Sequence, residues 1–577
     1  MSASVTKLRV RDEDFLVASM IERCPRTMMI RELLQNALEA TQAVPEGERV
    51  VEFSARMVDG VPKLALWNRG IGLTGAELYA MCDIAASIRK ESGLDRNFGM
   101  GAKVASLPSN QRGMRYRSAR DGVVQEVVIG KVDGIYGRLR RLGPDGEMTE
   151  VLSVPGSELE AHDASTDWIE VLLLGNEAGQ DTVANPYNGQ PRSSWRWLVD
   201  AICNRFFRFP PSARIVLQAG VAGLRAPRQL VSLADRLQAL DHYEQVKTPE
   251  GIIIHYAYDP PHPTRANVNA SQGTGPESAN SIAGLVHRDE IYAVKSGAGW
   301  WRDAPSYGIA FAARHISILV ELPDDYPVLP EAYREFLRYR DGKQAQIYLL
   351  DFAGLVARNQ PLWLARILAE AAPTATYTAE VENELHQMLE QLGVPKQRPR
   401  SQPSLDQPPA PLQDPNAPRV ERPLVERPPV ERPLVLESTP ALFLLRDPAE
   451  LADRDLLHRA AGYYPETHQL HVNLTYPAAT ELAQRLTDLA PADLDPEQVT
   501  KTAMMIAERA MVLRIARALV YALAKRNQSR DWRDAHMRVA LSPEALTLAA
   551  DDIRTAWPEA EAAMRQAMTA LSSVEAA

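Results

Sequence analysis

Cysteine is scarce in this chain. Cys24, Cys82 and Cys203 are the three in 577 residues. An odd number at wide spacing argues against a disulfide framework or a zinc site and fits a reduced cytoplasmic protein. Long apolar runs are missing as well. None approaches the roughly 18–20 residues of a membrane span, so no membrane partner is expected. The opening stretch MSASVTKLRVRDEDF lacks the apolar core of a secretory signal. Basic charge is in the minority, with 64 Lys and Arg against 74 Asp and Glu and a net charge of −10. That balance argues against wholesale coating of nucleic acid but leaves room for a local basic groove. No nuclease or protease signature stands out, nor a His-Asp-Ser arrangement with local support.

What remains is ordinary globular composition, 45% hydrophobic and 24% charged. The length implies three or four domains. Residues 1–180 read as a first domain. Met28, Met29, Leu33, Leu34 and Leu38 make a largely apolar helix suited to packing under a sheet. Strands are predicted at Val50–Met57 and Lys63–Trp67 around the turn Asp59-Gly60, then at Gly122–Gly130, Tyr136–Leu142 and Asp167–Leu174. Residues 190–372 read as a second, mixed domain. It has a helix near Trp195–Phe206, strands at Ala213–Gln218, Ile252–Tyr258, Ile291–Val294 and Ile316–Leu322, and a helix at Glu331–Tyr339.

A helix over 373–394 follows, stopped by Gly393. Residues 395–438 are dense in proline and repeat Val-Glu-Arg-Pro. Such a stretch cannot enter helix or sheet interiors and reads as an extended linker, a plain spacer or a ligand for a proline-binding module. Residues 439–577 read as mainly helical, with a long Ala-rich helix at Val499–Arg526 and one strand at Leu470–Leu474.

Three short motifs in the first 105 residues carry chemistry. Arg-Glu-Leu-Leu-Gln-Asn-Ala (31–37) reads as helix, with Glu32 and Asn36 one turn apart on one face. Trp-Asn-Arg-Gly-Ile-Gly (67–72) reads as a strand end running into a turn. Asn-Phe-Gly-Met-Gly-Ala-Lys (97–103) reads as a Gly-rich loop opening a helix, preceded by the polar stretch 87–96, which suits a lid.

In this order and spacing the motifs resemble the ATP-binding fold shared by gyrase B, Hsp90, histidine kinases and MutL (the GHKL superfamily). The stretch 67–103 is most similar to MORC-like and uncharacterised bacterial Hsp90-like ATPases. The resemblance covers about the first 180 residues and implies an α+β architecture: an N-terminal Bergerat-type α/β sandwich, a transducer-like α/β domain, the Pro-rich linker and a mostly helical C-terminal domain. It implies ATP and Mg²⁺ as cofactors. Glu32 becomes the base that activates water, and Asn36 the Mg²⁺ ligand. Asn68 stands where the family usually has an aspartate that accepts from the adenine amino group. An amide oxygen also accepts, with less charge assistance.

Gly70 and Gly72 let the backbone pass close to the base. Gly99, Met100, Gly101 and Ala102 offer backbone N–H groups to the phosphates, and Lys103 adds a cation. Thr166, ahead of a late strand, would stand near Asn68. It belongs to Ser165-Thr166, where the family usually has Gly-Thr. Lys295 and Lys343 are candidates for the lysine that the second domain sends to the γ-phosphate in the gyrase and MutL branches.

The resemblance further implies an ATPase, an ATP-gated homodimeric clamp acting on DNA or protein partners, with defence or a DNA transaction as its setting. The alternatives are a nucleotide-binding regulator or scaffold with little turnover, or a histidine-kinase-like protein kinase. The last is disfavoured because the 31 residues before Glu32 contain no histidine. Outside the motifs, His468 and His471 read as structural and Trp300-Trp301 as core or interface anchors. The stretch 501–538 has nine Lys and Arg against three Asp and Glu. It reads as a solvated helix face, a phosphate-binding surface or a contact for a partner's acidic face.

Overall fold

The structure is a computed structural model that describes residues 10–84, 101–143, 146–159, 161–261, 281–340, 345–372, 378–394, 437–491, 494–528 and 531–575. Gly99, Met100, the stretch 87–96 and Lys343 lie outside the described residues.

The chain opens with helix α1 (Glu13–Glu22) and helix α2 (Met29–Thr41). Strands β1 (Val50–Val58) and β2 (Val61–Arg69) follow, then helices α3 (Gly75–Met81) and α4 (Gly101–Ser106), then strands β3 (Met114–Arg120), β4 (Val123–Val132) and β5 (Ile135–Arg138). On α2 the apolar residues Met29, Ile30, Leu33, Leu34, Ala37 and Leu38 recur at helical spacing and are all buried. They meet Val51 and Phe53 of β1, Leu64 and Leu66 of β2, and Met114 and Tyr116 of β3 in one core. Alternation along the strands turns Glu52, Arg56, Arg115, Arg117, Glu126 and Glu170 to the other face. There Arg56 pairs with Glu170 at 3.2 Å and Arg117 with Glu126 at 2.5 Å.

The sheet has nine strands. Beside β1 and β2 lie Trp168–Leu173, β3, β4 and β5 on one side, with Val151–Ser153 also paired to β4, and Arg214–Leu217 then Arg228–Gln229 on the other. Arg214–Leu217 runs parallel to β1, and the other neighbours are antiparallel. The sheet therefore continues past the expected boundary at residue 180. Without Arg214–Leu217, β1 would be an open edge. The helix Trp197–Cys203 shares the same core.

A second sheet is ordered His242–Lys247, Ile253–Tyr258, Ile316–Leu322, Ile282–His287 and Glu290–Ser296. Its last two strands form a two-residue hairpin. Arg288 and Asp289 occupy the turn at φ 51° and 61°, the left-handed pair that suits strand twist. The helix expected at Glu331–Tyr339 is a strand pair instead, Val328–Pro330 against Leu337–Tyr339. Arg334 sits at φ 58°, which a helix cannot hold.

The C-terminal region is mainly helical, built around Pro496–Ala524 and a three-stranded sheet. The helix Thr378–Leu392 belongs to this region: Val381, Leu385 and Leu389 share its core with Met511, Ile515 and Leu519. Glu437 N–H donates to the Val394 carbonyl at 2.8 Å. The described residues on either side of the Pro-rich stretch therefore lie side by side, and residues 395–436 themselves lie outside the described residues. No helix among the described residues is long and apolar enough to cross a membrane.

Because Val394 and Glu437 are fixed side by side, replacing residues 398–433 with a short Gly-Ser loop should leave cooperative unfolding intact. Stability should shift by less than about 2 kcal/mol, since loop closure varies only slowly with length. Urea denaturation checks this; an unfolded C-terminal region would contradict it.

Candidate functional site

The first motif lies on α2. Glu32 is part-buried, and Asn36, one turn on, is exposed. An acidic residue in the first turn also suits the positive end of the helix dipole. The third motif reaches Glu32 directly, because α4 begins at Gly101 beside it. A Cβ on Gly101 would stand 1.8 Å from Glu32 Oε2, so a larger residue there would push the Glu32 carboxylate aside. Ala102 and Lys103 follow, both buried.

The second motif meets the other end of α2. Asn68 is buried on β2, on the same side of the strand as Leu64 and Leu66, facing the helices. Its Nδ2 donates to the Arg69 carbonyl at 3.1 Å, which leaves the amide oxygen as its accepting end. A Cβ on Gly70 would lie 3.3 Å from the Ala40 carbonyl of α2. Gly72 is held at φ 67°, and a Cβ there would lie 2.1 Å from the Ala119 carbonyl of β3. The turn is further tied by Leu73 N–H donating to Ser118 Oγ at 2.6 Å. Thr166 is part-buried just ahead of the strand Trp168–Leu173. The next residue, Asp167, accepts from Gly70 N–H at 3.4 Å. From Glu32 to Ala40 is about 12 Å along the helix axis. The structure thus lays the second motif and the described part of the third at opposite ends of the α2 face that carries Asn36.

Lys103 departs from expectation. Its ammonium is buried and donates to the Met81 and Asp83 carbonyls. These lie at the C-terminal end of α3, where carbonyls lack helical partners and a cation is favoured. Burial lowers its pKa to about 8. Lys103 therefore ties α4 to α3 instead of lying open beside a phosphate. Lys295 is also engaged, in an ion pair with Asp303, and sits five residues up the strand from Glu290, roughly 17 Å away.

Sequence reasoning passed over a cluster that touches Glu32. Arg31 is buried, and its Nη1 donates to Glu32 Oε1. The same guanidinium grips Glu290, with Nε 3.0 Å from Oε2 and Nη2 against Oε1. Glu290 opens the second strand of the 282–296 hairpin, in the second sheet. It also accepts from Arg205, at 3.0 and 2.7 Å. The hairpin tip is docked by Phe207 N–H donating to Asp289 O and Ile291 N–H donating to Arg205 O, both at 2.7 Å. Burial alone would raise the Glu290 pKa, but the guanidiniums of Arg205 and Arg31 outweigh it and hold the carboxyl down at about 2. No local signal marks Glu290: it follows an Arg-Asp turn, and its partners are 259 and 85 residues away.

No family model matches the chain, and no curated protein sequence matches it. Among solved structures, the B-subunit of the DNA gyrase from Myxococcus xanthus is similar at a TM-score of 0.32 and 13% identity, over 59% of this chain and 92% of that one. At that level of similarity the reading of the site rests on the placement of its own residues.

Glu290→Ala would leave two guanidiniums without their shared carboxylate and should destabilise the chain by about 3–5 kcal/mol at neutral pH. The folded carboxyl sits near 2 against an ordinary 4.5. Its contribution is therefore complete above pH 4.5 and fades as pH falls toward 2. Urea midpoints of the two proteins should converge over that window; a gap that stays constant would contradict the assignment.

Proposed function

We propose that this chain binds ATP along the exposed face of α2 and hydrolyses it with Mg²⁺, as a member of the GHKL ATPases. One observation carries the reading: three motifs far apart in sequence meet on a single helix, with Gly101 packed on Glu32 and the Asn68–Gly72 turn against Ala40 and β3. Adenine lies at the Asn68 end, where the amide oxygen accepts from the exocyclic amine. Gly70 and Gly72 keep that end free of side chains, and Thr166 borders it. The phosphates lie at the Gly101–Ala102 end, with Gly99 and Met100 in the same motif. Glu32 takes the proton of the attacking water. Asn36 offers its amide oxygen to Mg²⁺, which when bound neutralises charge on the phosphate oxygens. Among the described residues no group of three His, Cys, Asp or Glu could hold a metal. An exposed neutral ligand completed by phosphate and water oxygens suits Mg²⁺.

The second sheet and the helical C-terminal region are the parts that a nucleotide-driven change would move. We read the protein as an ATP-gated homodimeric clamp on DNA or a protein partner. The Arg31–Glu32 pair favours a second reading, a nucleotide-binding regulator with little turnover, because it engages one of the two oxygens that could take the proton.

Glu32→Gln should retain ATP binding by calorimetry and lose at least about 100-fold in kcat. Equal rates in the two proteins would remove Glu32 as the base, and a wild type that binds without turnover would favour the regulator. Light scattering with a non-hydrolysable ATP analogue should show the mass doubling; an unchanged mass would remove the clamp.

A further inference from the structure

We infer that Glu290 is a positioning residue for ATP hydrolysis: by gripping Arg31 it keeps that guanidinium from closing fully on Glu32, so that the second sheet keeps one oxygen of the catalytic carboxylate out of the arginine fork. The inference rests on the reading of Glu32 as the base.

Arg31 is one buried guanidinium shared by two carboxylates. Two of its nitrogens go to Glu290 and one to Glu32. This division is what matters chemically. A carboxylate that keeps an oxygen free of the guanidinium can still accept a proton from water; one held by both arms of an arginine fork is a weaker base. Glu32 Oε2 is the oxygen that faces Gly101, and Oε1 is the one Arg31 holds.

Glu290 is carried by the second sheet and held from outside it. It stands next to a two-residue turn that admits no slack, and the turn is latched to Arg205 and Phe207 by backbone hydrogen bonds. Arg205 fixes Glu290 from the opposite side and lies over the Tyr292 ring, 4.3 Å from its centroid. A shift of the hairpin by the length of one hydrogen bond would release Arg31 to Glu32. Hairpin seated, the base is free on one oxygen; hairpin displaced, the base is clamped.

A double-mutant cycle on the full chain tests this, reading kcat and the KM for Mg·ATP. Glu290→Gln should lower kcat about tenfold or more with KM little changed, because Arg31 falls back on Glu32. Adding Arg31→Met to that variant should restore kcat to within about threefold of Arg31→Met alone. A purely structural role for Glu290 gives no such rescue, since in both proteins Arg205 lacks its carboxylate and keeps only the Ile291 and Arg334 carbonyls. Should Glu290→Gln fail to fold, Glu290→Asp keeps the charge, withdraws it by one methylene, and should show the same loss and the same rescue. Additive effects of the two substitutions, or a loss confined to KM, would overturn the inference and leave the ATPase reading standing. A wild type that neither binds nor hydrolyses ATP would overturn both.

Discussion

A guanidinium buried beneath a sheet cannot be left alone, because its desolvation costs several kcal/mol unless carboxylates and hydrogen bonds offset it. Arg31 is in that position, and two carboxylates converge to satisfy it, the neighbouring Glu32 and Glu290 at the hairpin tip; Glu290 is shared with Arg205, so that two carboxylates face two guanidiniums. This one requirement orients α2 toward the second sheet. It also fixes the hairpin against the segment after the helix Trp197–Cys203. The site residues inherit their positions from it, since Glu32 and Asn36 ride on the same helix.

The rest of the site follows from keeping side chains out. Gly101 and Gly72 stand where a Cβ would strike Glu32 and the Ala119 carbonyl. Lys103 was expected as a free cation and is instead a structural donor closing the end of α3. A lysine in a glycine-rich motif carries no label saying whether its ammonium meets a ligand or a helix end. That choice depends on which carbonyls the fold brings within reach.

Local pattern was informative where the physics is local. The apolar stripe Met29–Leu38 places α2, and the alternation in Val50–Met57, Lys63–Trp67 and Ile316–Leu322 matches strands within a few residues. Glu32 and Asn36 share a face because helical spacing requires it. Pattern misled where pairing is remote. Arg214–Leu217 reads equally well as part of a second domain, yet its hydrogen bonds go to β1, more than 150 residues earlier. Met114–Arg120, a strand of the large sheet, alternates charge with small and aromatic residues and went unrecognised. The helix Thr378–Leu392 looks detached because proline follows it, yet its apolar face lies in the C-terminal core.

From residue order alone come three motifs, their spacing, and the chemistry of a carboxylate and an amide one turn apart. These depend on interactions within a few residues, which sequence spells out. Which lysine is engaged, where the first sheet ends, that Val394 and Glu437 lie side by side and which carboxylate answers Arg31 depend on contacts between distant residues. The free energy of burying charge and completing sheet edges selects those contacts, and only the packed chain brings the partners together.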